Sequence, residues 1–333
     1  MNTNKRKVFF VDEKPLVKKL VLLDGFSRAG KFFVGKIVSN LKKMDYFQAV
    51  YALEQIPFFH RLNCITEDAA VALLRKIVDE HAYNIRIGRN LNLRYSDASS
   101  LFNSYEIDEY IRRSMNQFGE INLTADKIID SFWKGNRCSL FVVHEVLPNM
   151  QLFFKAYPAL KIIELIRHPV DVIHSWYLRG WGRRFGLDPL SFIPVINGNK
   201  GPIPWHAYEW REEYEASCEA DRVIKCIAAL TEMCSQTYQS LSARQKRQIL
   251  FVRYEDVVEN TSSEIERICA FLDTEPSKGI PLIMAKEKCP GKISLNERAR
   301  KISDIKKNAG KKAFALMMKL VNDYETKENP YKK

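Results

Sequence analysis

Residues 19–36, KLVLLDGFSRAGKFFVGK, run from an apolar strand through a glycine-bracketed loop into an amphipathic helix. A strand passed to a helix through so tight a loop leaves few folds open. It belongs to a parallel sheet whose crossovers carry helices. Gly25, Gly30 and Lys31 fit G-x-x-x-x-G-K, whose backbone N–H groups and helix N-terminus hold phosphate oxygens. A nucleoside triphosphate site would place Ser or Thr next, to bind Mg²⁺ through its hydroxyl. Phe32 stands there instead, with Phe33 behind it. The loop is therefore expected to grip a phosphate-like anion without the usual metal ligand.

The rest of the chain keeps the alternation. Strands are expected at 20–23, 49–53, 140–144, 161–166 and 248–252. Helices are expected at 31–44, 67–81, 107–118, 125–133, 147–157, 170–179, 218–241, 262–272 and 311–324. These make one α/β domain over 1–333, long enough to bury a large core. Residues 180–210, rich in Gly, Pro and aromatics, interrupt the pattern and read as an insertion or lid. An aromatic-anchored structural excursion is an equal alternative.

Charge is uneven. Residues 286–333 hold 14 Lys/Arg against 6 Asp/Glu, eight of the chain's net +12. That basic tail reads as a solvated helix or as a rim around an anionic ligand. The seven cysteines have no C-x-x-C pair, and Cys218, Cys226 and Cys234 repeat at a spacing that drifts around a helix. Reduced thiols and core packing are expected, not a metal site. The first residues lack an apolar h-region and no run approaches the ~20 apolar residues of a membrane span, so a soluble, cytoplasmic protein is expected.

Two further segments carry chemistry. In KIIELIRHPVDVIHSWY, Arg167 ends a strand and Ser175 lies two helical turns on, a guanidinium and a hydroxyl suited to a second phosphate. A structural ion pair is the competing reading for Arg167. In SLFVVHEVLP, His144 closes a strand and Glu145 follows, both aimed at the same sheet edge. A near-neutral imidazole suits a general base, although a satisfied core histidine is the plainer alternative. Pro148 occupies the position at which H-E-x-x-H requires its second His.

Together GFSRAGKFF, LIRHPVDVIHSWY and FVRYEDVVENTSSEIERICAFLDTE resemble, in order and spacing, the sulfotransferases that use 3′-phosphoadenylyl sulfate (PAPS), and among them the bacterial members. The resemblance spans about 18–275. It implies a three-layer α/β/α fold with a mainly parallel central sheet, of the P-loop NTPase type. It implies cofactor contacts at Ser27, Arg28, Ala29, Gly30, Lys31 and Phe32, and 3′-phosphate contacts at Arg167 and Ser175. Arg28 stands where the family's cytosolic branch has a Lys that contacts the bridging oxygen. Lys31 replaces a Thr, and its ammonium is expected to substitute for the hydroxyl. His144 falls near the family's catalytic histidine, with Glu145 and Glu54 as alternative bases. Lys292, in the stretch KEKCPGK, is the counterpart of a basic loop over the 3′-phosphate.

The expected reaction passes a sulfuryl group from PAPS to a hydroxyl of a small-molecule or carbohydrate acceptor and leaves adenosine 3′,5′-bisphosphate. No metal and no nucleic acid are expected. Trp181, Arg183, Arg184, Trp205 and Trp210 are expected at the acceptor site, over a core at 18–275 and a basic C-terminal region at 276–333. The alternatives are an ATP/Mg²⁺-dependent small-molecule kinase of the P-loop type, or a non-catalytic anion or nucleic-acid binder.

Overall fold

The chain is described as a computed structural model over residues 10–11, 13–115, 125–135, 137–190, 192–327 and 329–331. Strand β1 (Leu20–Asp24) is buried along its whole length. Its continuous apolar run suits a strand covered by helices on both faces. Around it lie β2 (Gln48–Ala49), β3 (Ser139–Val142), β4 (Lys161–Ile166) and, after an antiparallel β5–β6 hairpin (Val195–Asn197 and Pro202–Pro204), β7 (Ile249–Arg253). The five-stranded sheet has the order β2-β3-β1-β4-β7 and every pairing in it is parallel.

Strand residues alternate between two cores. Leu20, Leu22, Phe141 and Ile162 face one apolar cluster, while Val21, Leu23, Leu140 and Ile163 face the other. The helices follow in chain order: α1 (Lys31–Ser39), α2 (Ala52–Arg61), α3 (Glu67–Arg86), α4 (Ile107–Ser114), α5 (Ala125–Trp133) and α6 (Met150–Ala156). Next come α7 (Pro169–Leu178), α8 (Arg211–Ala216), α9 (Glu219–Ser240), α10 (Ala243–Arg247) and α11 (Tyr254–Glu259). The chain ends with α12 (Thr261–Leu272), α13 (Ile280–Lys286), α14 (Leu295–Asn308) and α15 (Lys311–Thr326). Side chains of α3, α6 and the end of α9 fill one core, and those of α1 and α12 the other, which gives three layers. A third cluster joins α7, the first turns of α9 and α15, with Trp176 and Trp205 among its rings.

Two expectations need correction. The run at 49–53 is not a strand: β2 ends at Ala49 and α2 starts at Ala52, which puts Glu54 in a helical first turn. The helix expected at 31–44 stops at Ser39, where the Asn40 side-chain amide donates to Lys36 O and ends the turn. Part of the helix expected at 107–118 lies outside the described residues.

Candidate active site

The loop after β1 is shaped by positions that only particular backbones tolerate. Gly25 has φ +137°, and a Cβ there would fall 2.2 Å from Leu165 O. Gly30 has φ +102°, with room for no Cβ against the Tyr254 ring. Between them Arg28 takes φ +74°. In the resulting arch the Ser27 and Ala29 N–H groups donate within the protein, to Glu145 and Phe26 O. Those of Arg28, Gly30, Lys31 and Phe32 have no hydrogen-bond partner among the described residues. Four free donors at the start of a nine-residue helix form an anion cradle.

The arch is held from behind. Glu145, itself at φ +58°, accepts the Ser27 N–H at 2.9 Å, and Trp176 Nε1 donates to Ser27 O at 2.9 Å. Ala29 is buried in the core beneath. Lys31 corrects the expectation set for its ammonium. The side chain is buried and donates to Gly25 O (2.6 Å) and Phe26 O (2.7 Å), tying the loop to itself. Burial lowers its pKa, against the opposing pull of Asp24, Glu145, Glu54 and Glu164. The backbone N–H of Lys31 is left for a ligand. Asp24, which accepts the Val146 and Leu147 N–H groups, is raised to about 6 by burial, with Lys31 acting against the shift.

Cations gather on the open side of the cradle. Arg28 Nε donates to Ser175 Oγ at 3.2 Å, and Arg167 Nη1 donates to Arg28 O at 2.9 Å. The Arg167 guanidinium lies 4.2 Å from the centroid of the Tyr254 ring, and its buried Nε has no partner. Arg28 has a depressed pKa, chiefly through burial and then through Arg179 and Arg167. None of these three arginines forms an ion pair among the described residues. Guanidinium groups crowded together without salt bridges make a site for an incoming anion.

His144 stands on the same cavity. Its Nδ1 lies 2.7 Å from Glu54 Oε1. Burial, with help from Lys31, pushes the imidazole down to about 3; burial raises the Glu54 carboxyl to about 8. Phe32, where a metal-binding hydroxyl would sit, packs its ring 5.7 Å from Phe47 and 6.3 Å from the His144 ring. It helps keep that imidazole dry.

The cavity has a volume of about 560 Å³ and brings together the loop, His144, Glu54, Arg167 and part of the 180–210 segment. From that segment Trp181, Arg184, Phe185 and Phe192 contribute. Trp205 instead packs on Phe58 in the core, and Trp210 donates to His206 O; neither borders this cavity. The segment thus lines the cavity through some of its residues and packs into the core through Trp205. Lys292 is exposed and outside the cavity lining, and the next residue's N–H donates to Glu259. Glu54, the alternative base of the sequence, lies just past the strand expected at 49–53, in the first turn of α2. Arg179, at the end of α7, was missed; its one signal was lying a single turn beyond Ser175. Among the described residues, no group of three or more His, Cys, Asp or Glu is placed to hold a metal ion, and no helix is long and apolar enough to cross a membrane.

A parallel α/β sheet here carries an anion cradle, clustered arginines and a paired imidazole on one cavity. The sulfotransferase domain family model matches residues 108–312, more than half of the chain, so the chain belongs to the sulfotransferase family. The cradle itself lies before the matched stretch. Among solved structures, the sulfotransferase domain from the curacin biosynthetic pathway is similar at 13% identity over 80% of this chain and 77% of that one, with a TM-score of 0.42. The sulfotransferase domain of the Synechococcus PCC 7002 olefin synthase is similar at 14% identity over 82% and 80%, with a TM-score of 0.41. The sulfotransferase from Alicyclobacillus acidocaldarius is similar at 14% identity over 93% and 96%, with a TM-score of 0.35. No curated protein matches the chain in sequence.

Proposed function

We propose that the chain transfers the sulfuryl group of PAPS to an acceptor hydroxyl, with His144 as the base. The observation that carries this reading is the shared cavity: free loop N–H donors, unpaired Arg28 and Arg167, and the His144–Glu54 pair all border it. The loop N–H groups would take the 5′-phosphosulfate, and Arg167 with Ser175 the 3′-phosphate. A sulfuryl group with an acidic phosphate as its leaving group needs fixed positive charge and aligned donors at the bridging oxygen. Arg28, left-handed at the crest of the arch, is the side chain nearest that role. His144, with its Nδ1 held by Glu54, presents Nε2 to the acceptor hydroxyl. Glu145 holds Ser27 and acts through the loop.

Thermal shift with adenosine 3′,5′-bisphosphate, set against ATP with Mg²⁺, tests the donor. A ligand at 100 times its Kd adds about 2.7 kcal/mol of apparent stability. Stabilisation by the bisphosphate is expected, weakened sharply in Arg167→Ala and retained in His144→Ala, which loses most transfer activity. Stabilisation by ATP–Mg²⁺ alone would sink the reading.

A further inference from the structure

We infer that a second cavity, between residues 205–210 and the middle of α9, binds an uncharged polyhydroxylated ligand of the saccharide class. It shares no lining residue with the catalytic cavity and does not depend on the sulfuryl-transfer reading.

Two local patterns build its wall. On α9, Ala229, Glu232, Met233 and Gln236 stand at i, i+3, i+4 and i+7, one stripe of the helix. Against that stripe lies the segment WHAYEW, and Arg61 and Leu62 close a third side from the end of α2. The enclosed volume is about 510 Å³, within the about 300–1,000 Å³ of small-molecule sites. Trp205, Tyr208 and Trp210 supply ring carbon to the wall. The Trp210 indole is fixed by donating to His206 O at 3.0 Å, and the Trp205 ring packs 5.7 Å from that of Phe58.

His206 is the group that the protein itself leaves unanswered. It is 3% exposed, it lines the cavity, and neither Nδ1 nor Nε2 has a partner among the described residues. Its neighbours are rings, with centroids at 5.5 Å for Trp205, 6.0 Å for Phe185 and 6.3 Å for Trp176. Burial pushes the imidazole down to about 3, so at neutral pH it is uncharged, with one nitrogen donating and the other accepting. A buried polar group left unpaired costs about 1–3 kcal/mol, and the transfer chemistry makes no use of this one.

The rim narrows the ligand further. Arg61 lies 4.0 Å from Glu209, and Gln236 Nε2 donates to Glu232 at 3.0 Å. Both carboxylates are exposed, so solvent and salt weaken their fields. The exposed Asn63 amide adds a further donor and acceptor. A cation would meet Arg61, and an anion would meet two carboxylates. A wholly apolar molecule would leave His206 unpaired and strip water from the rim. A hydroxyl both donates and accepts, so it suits the imidazole, the amides and the carboxylates alike. The C–H faces of a sugar ring would meanwhile cover the aromatic carbon.

Saturation-transfer NMR on the full chain, with adenosine 3′,5′-bisphosphate in excess, tests the site. The probes are glucose, galactose, cellobiose and maltose, with choline and benzoate as the charged alternatives. At least one saccharide should bind with a Kd of about 1 mM or tighter. Tyr208→Ala, at an exposed position of the wall, should keep the wild-type melting temperature and lose that signal. His206→Phe keeps a ring but no nitrogen, and should weaken the saccharide about tenfold while remaining folded. Absence of saccharide binding at about 10 mM overturns the proposal, as does tighter Tyr208-dependent binding of choline or benzoate. A saccharide signal that survives Tyr208→Ala would place binding elsewhere and overturns it too. An affinity unchanged in His206→Phe does the same, because the imidazole would then not be answered by the ligand.

Discussion

His144 and Glu54 act as one titrating unit. With the carboxyl raised to about 8 and the imidazole lowered to about 3, the pair at neutral pH carries its shared proton on Glu54, which donates to Nδ1. The ring hydrogen then sits on Nε2, the wrong tautomer for a base. Loss of one proton moves hydrogen to Nδ1 and frees the Nε2 lone pair. Transfer rate is therefore expected to rise with pH through about 8 and level off above it, as a pH–rate profile would read. Glu54→Gln, which cannot ionise, should lower the rate and flatten that limb; an unaltered limb would assign it to another group. Stability runs the other way. A carboxyl whose folded-state pKa lies above its unfolded value favours the fold below about 4.5, and that contribution is lost as pH rises through about 8. Glu54→Gln should thus match the wild type in urea near pH 4 and exceed it by on the order of a few kcal/mol near pH 9.

At the scale of elements, α7 carries much of the site. Its first turn follows Arg167, its middle presents Ser175, and Trp176 reaches from its buried face to Ser27 O. Trp176→Phe keeps an aromatic ring in the core but deletes that donor and leaves the half-buried Ser27 carbonyl unpaired, a loss of about 1–3 kcal/mol. The variant should remain folded by circular dichroism and bind the bisphosphate about tenfold more weakly, as calorimetry would report. Unchanged affinity would show that Glu145 alone fixes the arch.

The sequence carried this much because strand, loop and helix patterns are local. The β1 loop and the Arg167–Ser175 spacing were legible from period and glycine positions alone. Helix α2 was not: Pro57 lies inside it, and the apolar residues before it continue β2 without a break. The direction of Lys31 was equally hidden. The motif names an ammonium, but the buried carboxylates that draw it inward come from β1, α2, the turn after β3 and β4. Side-chain direction at a buried charge is set by tertiary neighbours, which no linear pattern records.

Across the whole molecule, the basic C-terminal region turns out to brace the site. Arg298 and Lys301 of α14 both bond Asp171 in the first turn of α7, and Arg298 also reaches Glu255 at 3.5 Å. From α15, Tyr324 donates to Glu255 at 2.5 Å, and Glu255 accepts the His168 N–H at 3.1 Å. Residues some 130 positions apart thereby fix the strand-to-helix turn on which Arg167 stands. Two of the tail's fourteen basic residues, Arg298 and Lys301, are taken up in this way. Arg298→Met removes one partner of a largely buried network while Lys301 still neutralises Asp171. The expected loss is about 1–3 kcal/mol, smaller than for an orphaned buried charge. Bisphosphate affinity should fall with it, because the Arg167 turn loosens. Asp171→Asn added to Arg298→Met should cost less than the two single losses summed, since each removes the same Arg298–Asp171 contact. A double-mutant cycle in urea, read beside bisphosphate calorimetry, separates the two effects. Strict additivity of the two stability losses would mean that Arg298 and Asp171 do not act together, and that the α7 turn is held by Glu255 alone.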